Sequence, residues 1–155
     1  MEQNSNQIVN MDWGFPWNGN PIVDKQYEED NYRITETKAK GNKCIIFFSG
    51  NGLYFPNDVE TFNEKIIEKD RYEWENVANF SKIVKSYKKI IFLRDIYKQW
   101  YLRGINAQVN TIDKVVDLLH ELTETFEVVT CGNSAGGYMA LYMGAQLKAS
   151  KIFSF

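Results

Sequence analysis

The sequence predicts an α/β domain built on a largely parallel sheet with flanking helices, and three observations lead to that prediction. Short apolar runs recur along the 155 residues, helical patterns separate them, and glycine-rich or polar segments follow several of the runs. Continuous apolar runs are typical of strands that are buried on both faces of a parallel sheet. Strands that alternate with helices in this way indicate the α/β class.

Five segments have the composition of strands. The first alternates apolar and polar residues, and the others are rich in β-branched and aromatic residues. The last begins at Lys151 and reaches Phe155, so we expect this chain to be the N-terminal part of a domain whose sheet continues further. The five segments are residues 32–37, 44–48, 90–93, 126–131 and 151–155.

Apolar residues spaced three and four apart predict the helices between these strands. The clearest helix covers residues 111–125, and its apolar face comprises Ile112, Val115, Val116, Leu119 and Leu122. A second pattern covers residues 74–87, where the repeating residues are Val77, Phe80, Val84 and Tyr87. Further helices are expected from Asp58 onwards and over residues 138–147, where good helix formers predominate.

Residues 1–30 differ in composition from the rest of the chain. They are polar and aromatic, with Trp13 and Trp17 close together and an acidic patch at residues 28–30. We predict an irregular N-terminal arm here, whose aromatic side chains either pack onto the domain or cover a cleft. The α/β domain then covers residues 31–155.

Composition excludes several classes of partner. A net charge of −2 gives no basic surface for nucleic acid. No apolar run approaches the length of a membrane span. The polar N-terminus lacks the basic and apolar regions of a signal peptide, so a cytoplasmic location is the default expectation.

The cysteines and the single histidine show no metal-ligand spacing, and we expect neither a metal nor another cofactor. Cys44 and Cys131 lie in apolar strand-like runs, which indicates two buried free thiols. His120 flanks the apolar face of the helix over 111–125, so we expect it on the solvated surface.

The strongest functional pattern is Gly-x-Ser-x-Gly at Gly132, Ser134 and Gly136. A predicted strand precedes it and a predicted helix follows it, which is the context of a nucleophilic serine on a sharp turn. The backbone there is strained, and glycines allow the close approach of the residues on either side. The alternative is a glycine-rich turn that only connects a strand to a helix.

Three loops follow the carboxyl ends of buried strands, after Phe48, after Leu93 and after Cys131. Binding sites in open α/β sheets form at that edge. The motif-like residues of the chain fall in these loops, which is a separate indication of a site. Neither of the common glycine-rich nucleotide-binding motifs is present.

These residues resemble the α/β-hydrolase superfamily over residues 32–155. The resemblance implies that Ser134 is the catalytic nucleophile and that the N–H of Ala135 is one oxyanion donor. The second donor would come from Asn51 or Gly52, in the loop after the buried strand at 44–48. Taken alone, that loop is better explained as a turn with positive backbone angles.

The superfamily places an acid and then a histidine after the serine. Only 21 residues follow Ser134, and none of them is Asp, Glu or His. His120 precedes the serine and is expected on a sheet face, away from the strand ends. We therefore expect the 155-residue chain by itself to be inefficient in catalysis.

The superfamily's strand order would put residues 94–101 at the mouth of the site. Arg94 and Asp95 would then orient a substrate, with Trp100 and Tyr101 as a stacking wall. The alternative, slightly favoured, is that the two charged side chains bond to loop backbone while the aromatics fill core. Asp95 as the triad acid would be atypical for the superfamily.

The same strand order makes the strands of Cys44 and Cys131 parallel neighbours. The two cysteines would be offset by about five residues, or about 16 Å. That separation exceeds the limit of about 7 Å between the Cα atoms of a disulfide, so no bond between them is expected.

The function implied by the resemblance is a serine hydrolase of the carboxylic-ester type. Its substrate would be a small ester or acyl compound. A weaker similarity to hydrolase-like proteins encoded among bacterial surface-polysaccharide genes suggests a carbohydrate-linked one. Two alternatives remain: acyl transfer by the same serine, and a non-catalytic hydrolase-like module acting in binding or assembly.

Overall fold

A computed structural model of the chain describes residues 20–82 and 84–155. Trp13, Trp17 and the rest of the predicted arm up to residue 19 lie outside the described residues. The remainder of the arm contains a helix, α1 (Pro21–Tyr27). This corrects the prediction of an irregular segment, and the local sequence explains it. The Asn20 side chain accepts hydrogen bonds at the helix N-terminus, and proline occupies the first helical position.

Five strands form one sheet in the order β1-β3-β2-β4-β5. Strand β1 pairs antiparallel with β3, and all other pairs are parallel. The prediction of an α/β fold with a largely parallel sheet is therefore confirmed. The strands are β1 (Tyr32–Glu36), β2 (Lys43–Phe48), β3 (Lys89–Leu93), β4 (Glu127–Gly132) and β5 (Lys151–Ser154).

Strands β2 and β4 are parallel neighbours, as predicted, but their register differs from the expected one. Cys44 lies opposite Val128, three residues before Cys131, which is an offset of about 10 Å rather than about 16 Å. The two side chains also belong to core clusters on opposite faces of the sheet. Both thiols are buried and free, as expected.

Two helices cover one face of the sheet, α4 (Ile112–Thr123) and α5 (Ala135–Gln146). The predicted apolar face of α4 is confirmed, because Val115 and Leu119 are fully buried and its other three members pack against the same cluster. The same core cluster includes residues of β2, β3 and β4, residues of the loop after β3, and the α5 residues Met139 and Met143.

The opposite face is covered by α3 (Glu75–Phe80) and a 3₁₀ turn, Val84–Ser86. The single helix expected over residues 74–87 is wrong. Ser81 has an extended backbone and ends α3, so the apolar spacing does not continue on one helix. Val84 is buried, whereas Val77 and Phe80 are 44% and 83% exposed.

A third apolar cluster lies beyond the carboxyl ends of β2 and β3. It includes α1, the 3₁₀ turn Asn51–Leu53, the short helix α2 (Val59–Phe62) with the π-helical turn Asn63–Glu68, and the loop after β3. Its buried residues are Val23, Tyr27, Leu53, Tyr54, Phe62, Ile66, Ile96 and Tyr97. The cluster holds the loops after β2 and β3 in place at this edge.

Strand β5 is at the edge of the sheet, and all four of its residues are exposed. Within residues 20–82 and 84–155, none of the helices has the length and apolar character needed to cross a membrane.

Candidate active site

Ser134 lies between the end of β4 and the start of α5, at the predicted junction of strand and helix. Its φ is 52° and its ψ is −125°, a conformation that non-glycine residues rarely adopt. The side chain is exposed and makes no capping hydrogen bond to the helix. Such backbone strain costs about 1–3 kcal/mol and is concentrated at functional sites.

The glycines on either side of Ser134 allow two backbones to meet. A Cβ at Gly132 would overlap the carbonyl oxygen of Gly136 and lie 2.9 Å from the nitrogen of Gly137. A Cβ at Gly136 would lie 2.8 Å from the carbonyl carbon of Phe48. The turn is therefore folded tightly on itself and pressed against the end of β2.

The residue after β5 also holds the turn. The Ser134 N–H donates to the carbonyl oxygen of Phe155 at 2.8 Å, and the Phe155 N–H donates to the carbonyl oxygen of Gly132 at 3.0 Å. The Phe155 ring packs on Trp74, with the ring centroids 6.0 Å apart. Sequence analysis did not identify this contact, because no local motif links Phe155 to the serine turn.

The loop after β2 lies beside the serine turn. A Cβ at Gly50 would be 2.7 Å from the carbonyl oxygen of Asn133, the residue before the serine. The loop then forms the 3₁₀ turn, in which Leu53 N–H donates to the Gly50 carbonyl. This contact between Gly50 and Asn133 places the start of the 3₁₀ turn beside the start of α5.

Two helical turns therefore begin close to Ser134, one at Asn51 and one at Ala135. In the described part of the chain, the N–H groups of Asn51, Gly52 and Ala135 donate to no protein acceptor. The first N–H groups of a helical turn have no partner within it. Such donors can bind an oxygen that becomes negative. The resemblance predicts an oxyanion hole at these three residues, and that role stays a prediction.

Glu73 is a site residue that sequence analysis missed. Its carboxylate accepts the Gly50 N–H at 2.5 Å, and its own N–H donates to Ser49 Oγ at 3.2 Å. Burial raises the pKa of this carboxyl above its usual value, against the opposing effects of the Gly50 N–H, Arg71 and Lys98. Glu73 lies 23 residues from Gly50, so no local pattern could have identified it.

A cleft of about 470 Å³ adjoins the turn and is lined by Glu73, Trp74 and Asn133, together with other residues of the segment 69–77. The indole nitrogen of Trp74 and Oδ1 of Asn133 are buried, and neither has a hydrogen-bond partner among the described residues. The cleft therefore reaches Asn133, the residue before Ser134.

Arg94 and Asp95 are buried and serve the loop structure, as the favoured alternative had it. Arg94 is 1% exposed; its Nε donates to Asn31 Oδ1 at 3.0 Å, and its guanidinium pairs with Asp70 at 2.9 Å. Asp95 accepts the N–H groups of Tyr97, Gln99 and Tyr101 at 2.6–3.1 Å. The prediction that these two side chains orient a substrate is wrong, because both are buried and bonded within the protein.

Trp100 and Tyr101 differ in exposure. Trp100 is 44% exposed and makes an edge-to-face contact with Tyr138, with the centroids 5.8 Å apart. Tyr138 belongs to the first turn of α5 and is 42% exposed. Tyr101 is fully buried, and its hydroxyl donates to the Ser49 carbonyl at 2.8 Å, so its role as a stacking wall is wrong. Trp100 and Tyr138 remain as an exposed aromatic pair.

His120 is exposed in the last turn of α4, as predicted. This turn precedes the first residue of β4, whereas Ser134 follows the last one. The six residues of β4 span about 20 Å. His120 is therefore at the wrong end of the strand to accept the proton of Ser134.

In residues 20–82 and 84–155, no group of three His, Cys, Asp or Glu side chains is placed to hold a metal ion. Comparison with known proteins found no match to a family model, to a curated protein or to a solved structure.

Proposed function

We propose that this chain carries the nucleophile and the oxyanion site of a serine hydrolase that acts on carboxylic esters or related acyl compounds. The observation that carries the proposal is the strained, exposed Ser134 beside the free N–H groups of Asn51, Gly52 and Ala135. A nucleophile next to preorganised donors is what acyl transfer requires.

In the proposed reaction, Ser134 Oγ attacks the ester carbonyl carbon and loses its proton. The carbonyl oxygen becomes negative and accepts hydrogen bonds from the free N–H groups. Collapse of this intermediate releases the alcohol, which takes up a proton, and leaves an acyl group on Ser134. Water then attacks the acyl group, releases the carboxylic acid and restores the serine.

His120 is excluded as the proton acceptor by its position, and no His, Asp or Glu follows Ser134 in this sequence. The test therefore uses reagents whose leaving groups depart without protonation. A fluorophosphonate should label the peptide that contains Ser134, as detected by mass spectrometry. Ser134→Ala should abolish this label, while Ser150→Ala, which alters a serine on the protein surface, should retain it.

Hydrolysis of an activated ester such as a p-nitrophenyl ester gives the second measurement. Ser134→Ala should reduce the turnover that the chain shows to the uncatalysed rate if Ser134 is the nucleophile. Unchanged turnover in Ser134→Ala, or labelling confined to other residues, would contradict the proposal. Addition of a second alcohol separates hydrolysis from acyl transfer, because a transferase forms a new ester with that alcohol.

The second candidate is a non-catalytic hydrolase-like module that acts in binding or assembly. It is favoured by one observation, the location of His120 about one strand length from Ser134. This candidate predicts that neither the fluorophosphonate nor the activated ester reacts at Ser134. The two candidates therefore give opposite results in the same experiment.

A further inference from the structure

Glu73 contacts the loop that supplies two of the three free donors, and it does so at two points. Its carboxylate accepts the Gly50 N–H, and its backbone N–H donates to Ser49 Oγ. Ser49 and Gly50 directly precede Asn51 and Gly52. A peptide plane that is held at one residue limits the rotation of the next, so these two contacts restrict where the following N–H groups point.

The same carboxylate lies close to the glycines of the loop. Its Oε1 is 3.2 Å from the position that a Cβ of Gly52 would occupy, and its Oε2 is 3.5 Å from that of Gly50. Asn133 Oδ1 is 3.0 Å from the same Gly50 position. Glu73 therefore lies where the loop after β2 meets the residue before Ser134.

The negative charge of Glu73 and its ability to accept a hydrogen bond would have opposite effects on an oxyanion at Ser134. Arg71 and Lys98 are the cationic groups that face it, and both favour its charged form. A negative charge next to a developing oxyanion raises the energy of that oxyanion. The hydrogen bond from Gly50 N–H needs only an oxygen acceptor, which an uncharged amide also provides.

We propose that Glu73 is a positioning residue, which holds residues 49–52 so that the N–H groups of Asn51 and Gly52 face the oxygen of an acyl group on Ser134. This role rests on the proposed function. Its accepting oxygen is the essential feature, and its charge is not. Glu73 itself forms no bond to the reacting atoms.

The test compares Glu73→Ala and Glu73→Gln with the unaltered chain in fluorophosphonate labelling and in activated-ester hydrolysis. Misplacement of catalytic groups by about 1 Å can cost about 100-fold in rate. We expect Glu73→Ala to lower kcat about 100-fold with little change in KM, since the donors act on the transition state. Glu73→Gln keeps an accepting oxygen, and its kcat should return to within about tenfold of the original value.

Glu127→Gln is the matched control. It makes the same change of charge at the first residue of β4, away from the cleft, where its carboxylate accepts a hydrogen bond from Ser150 Oγ rather than from the loop. Its kcat should remain near that of the unaltered chain. Thermal unfolding of every variant shows whether a loss of rate reflects a loss of folded protein.

Two kinetic results would overturn the inference. If Glu73→Ala reacts as fast as the unaltered chain, the loop does not depend on Glu73. If Glu73→Gln is as slow as Glu73→Ala, the carboxylate is required as a charge or a base rather than as an acceptor.

A readout that does not depend on Ser134 separates this inference from the proposed function. Hydrogen exchange of the Gly50 amide, which donates to Glu73, should be faster in Glu73→Ala and protected in Glu73→Gln when it is measured in a Ser134→Ala background. Equal exchange in the two would overturn the contact even in an active enzyme. If the unaltered chain shows no reaction at Ser134, the proposed function fails and the catalytic role of Glu73 fails with it, whatever the exchange shows.

Discussion

Ser134 is held in its strained conformation by its neighbours and not by its own side chain. The contact between Gly132 and Gly136 closes the turn, and the contact between Gly136 and Phe48 presses it against β2. The Phe155 carbonyl accepts the Ser134 N–H and removes that donor from the turn. Strain that costs about 1–3 kcal/mol persists only when the surrounding structure determines it in this way.

Asp95 is an acidic residue that is buried in the folded chain, and this burial shifts its pKa. Its Oδ2 accepts the N–H groups on both sides of Trp100, and its Oδ1 accepts that of Tyr97. Burial raises its pKa from the usual 3.8 to about 6. The folded chain therefore binds this proton more tightly than the unfolded chain does. A shift of about two units corresponds to about 3 kcal/mol.

We predict the pH dependence of stability from this shift. Between pH 3.8 and about 6 the unfolded chain has lost the proton while the folded chain keeps it. The contribution of Asp95 to the free energy of unfolding is thus largest below pH 3.8 and is lost as pH rises through about 6. Urea denaturation of the original chain and of Asp95→Asn should show their difference falling by about 3 kcal/mol from pH 3 to pH 7.

The Asp95→Asn variant cannot titrate at residue 95. Subtracting its free energy of unfolding from that of the original chain therefore removes the pH dependence that all other groups contribute. At pH 3, where Asp95 is protonated, the variant should be less stable than the original chain by about 1–3 kcal/mol, because one accepting oxygen is replaced by a donor that faces N–H groups. A difference that is constant with pH, or that rises with pH, would contradict a raised pKa for Asp95.

At the scale of elements, the loop after β3 is the most constrained connection near the site. Lys98, Trp100 and Tyr101 have φ values of 54°, 57° and 61°, in the left-handed region. The Asp95 carboxylate and the Tyr101 hydroxyl hold the loop from inside. This arrangement turns Trp100 outwards, against Tyr138 at the start of α5.

We predict that Trp100 contributes to substrate binding. Trp100→Ala should raise KM for an activated ester with a large apolar or sugar-bearing group about tenfold, since aromatic contacts contribute about 0.5–1.5 kcal/mol beyond buried area. The rate for an activated acetate ester, which has little to contact, should change much less. Steady-state kinetics with the two esters provide the comparison.

Leu102→Ala is the control for this prediction. Leu102 is in the same loop and is 64% exposed. Its removal should leave both KM values unchanged. An equal effect of Trp100→Ala on the large and the small ester would indicate damage to the loop instead of a lost contact with the substrate.

At the scale of the whole molecule, β5 is the part of the sheet that is most open to association. It pairs with β4 on one side, and Ile152 and Phe153 are 38% and 43% exposed. An exposed apolar edge strand is a template for pairing with another chain. The polar side chains of the opposite edge strand, β1, alternate with its apolar ones.

We predict that the 155-residue chain self-associates with rising concentration and that β5 is responsible. Phe153→Lys should shift sedimentation towards the monomer, because a lysine on an edge strand opposes pairing. Leu102→Lys, an equal change of charge at an exposed position outside the sheet, should leave association unchanged. Association that persists in Phe153→Lys would place the contact elsewhere.

The strands were predictable because their composition is a local property. The serine turn was predictable because Gly132 and Gly136 meet within five residues, although the contact of Gly136 with Phe48 is a distant one. Prediction failed where a distant contact decided the result. Val77 and Phe80 have helical spacing with Val84, but the extended Ser81 separates them. Tyr101 has the composition of a binding-site aromatic, but the sheet edge buries it.

The sequence by itself determined the class of the fold, the buried free cysteines and the place of Ser134. These follow from short-range sterics and from the burial of apolar runs, whereas the neighbours β2, β3 and β4 were predicted only from the strand order that the resemblance implies. Only the tertiary structure decided that Glu73 meets Gly50 across 23 residues and that Arg94 and Asp95 point inwards. The physical reason is that a polar side chain takes its role from the groups that surround it, and those groups come together only when distant segments pack.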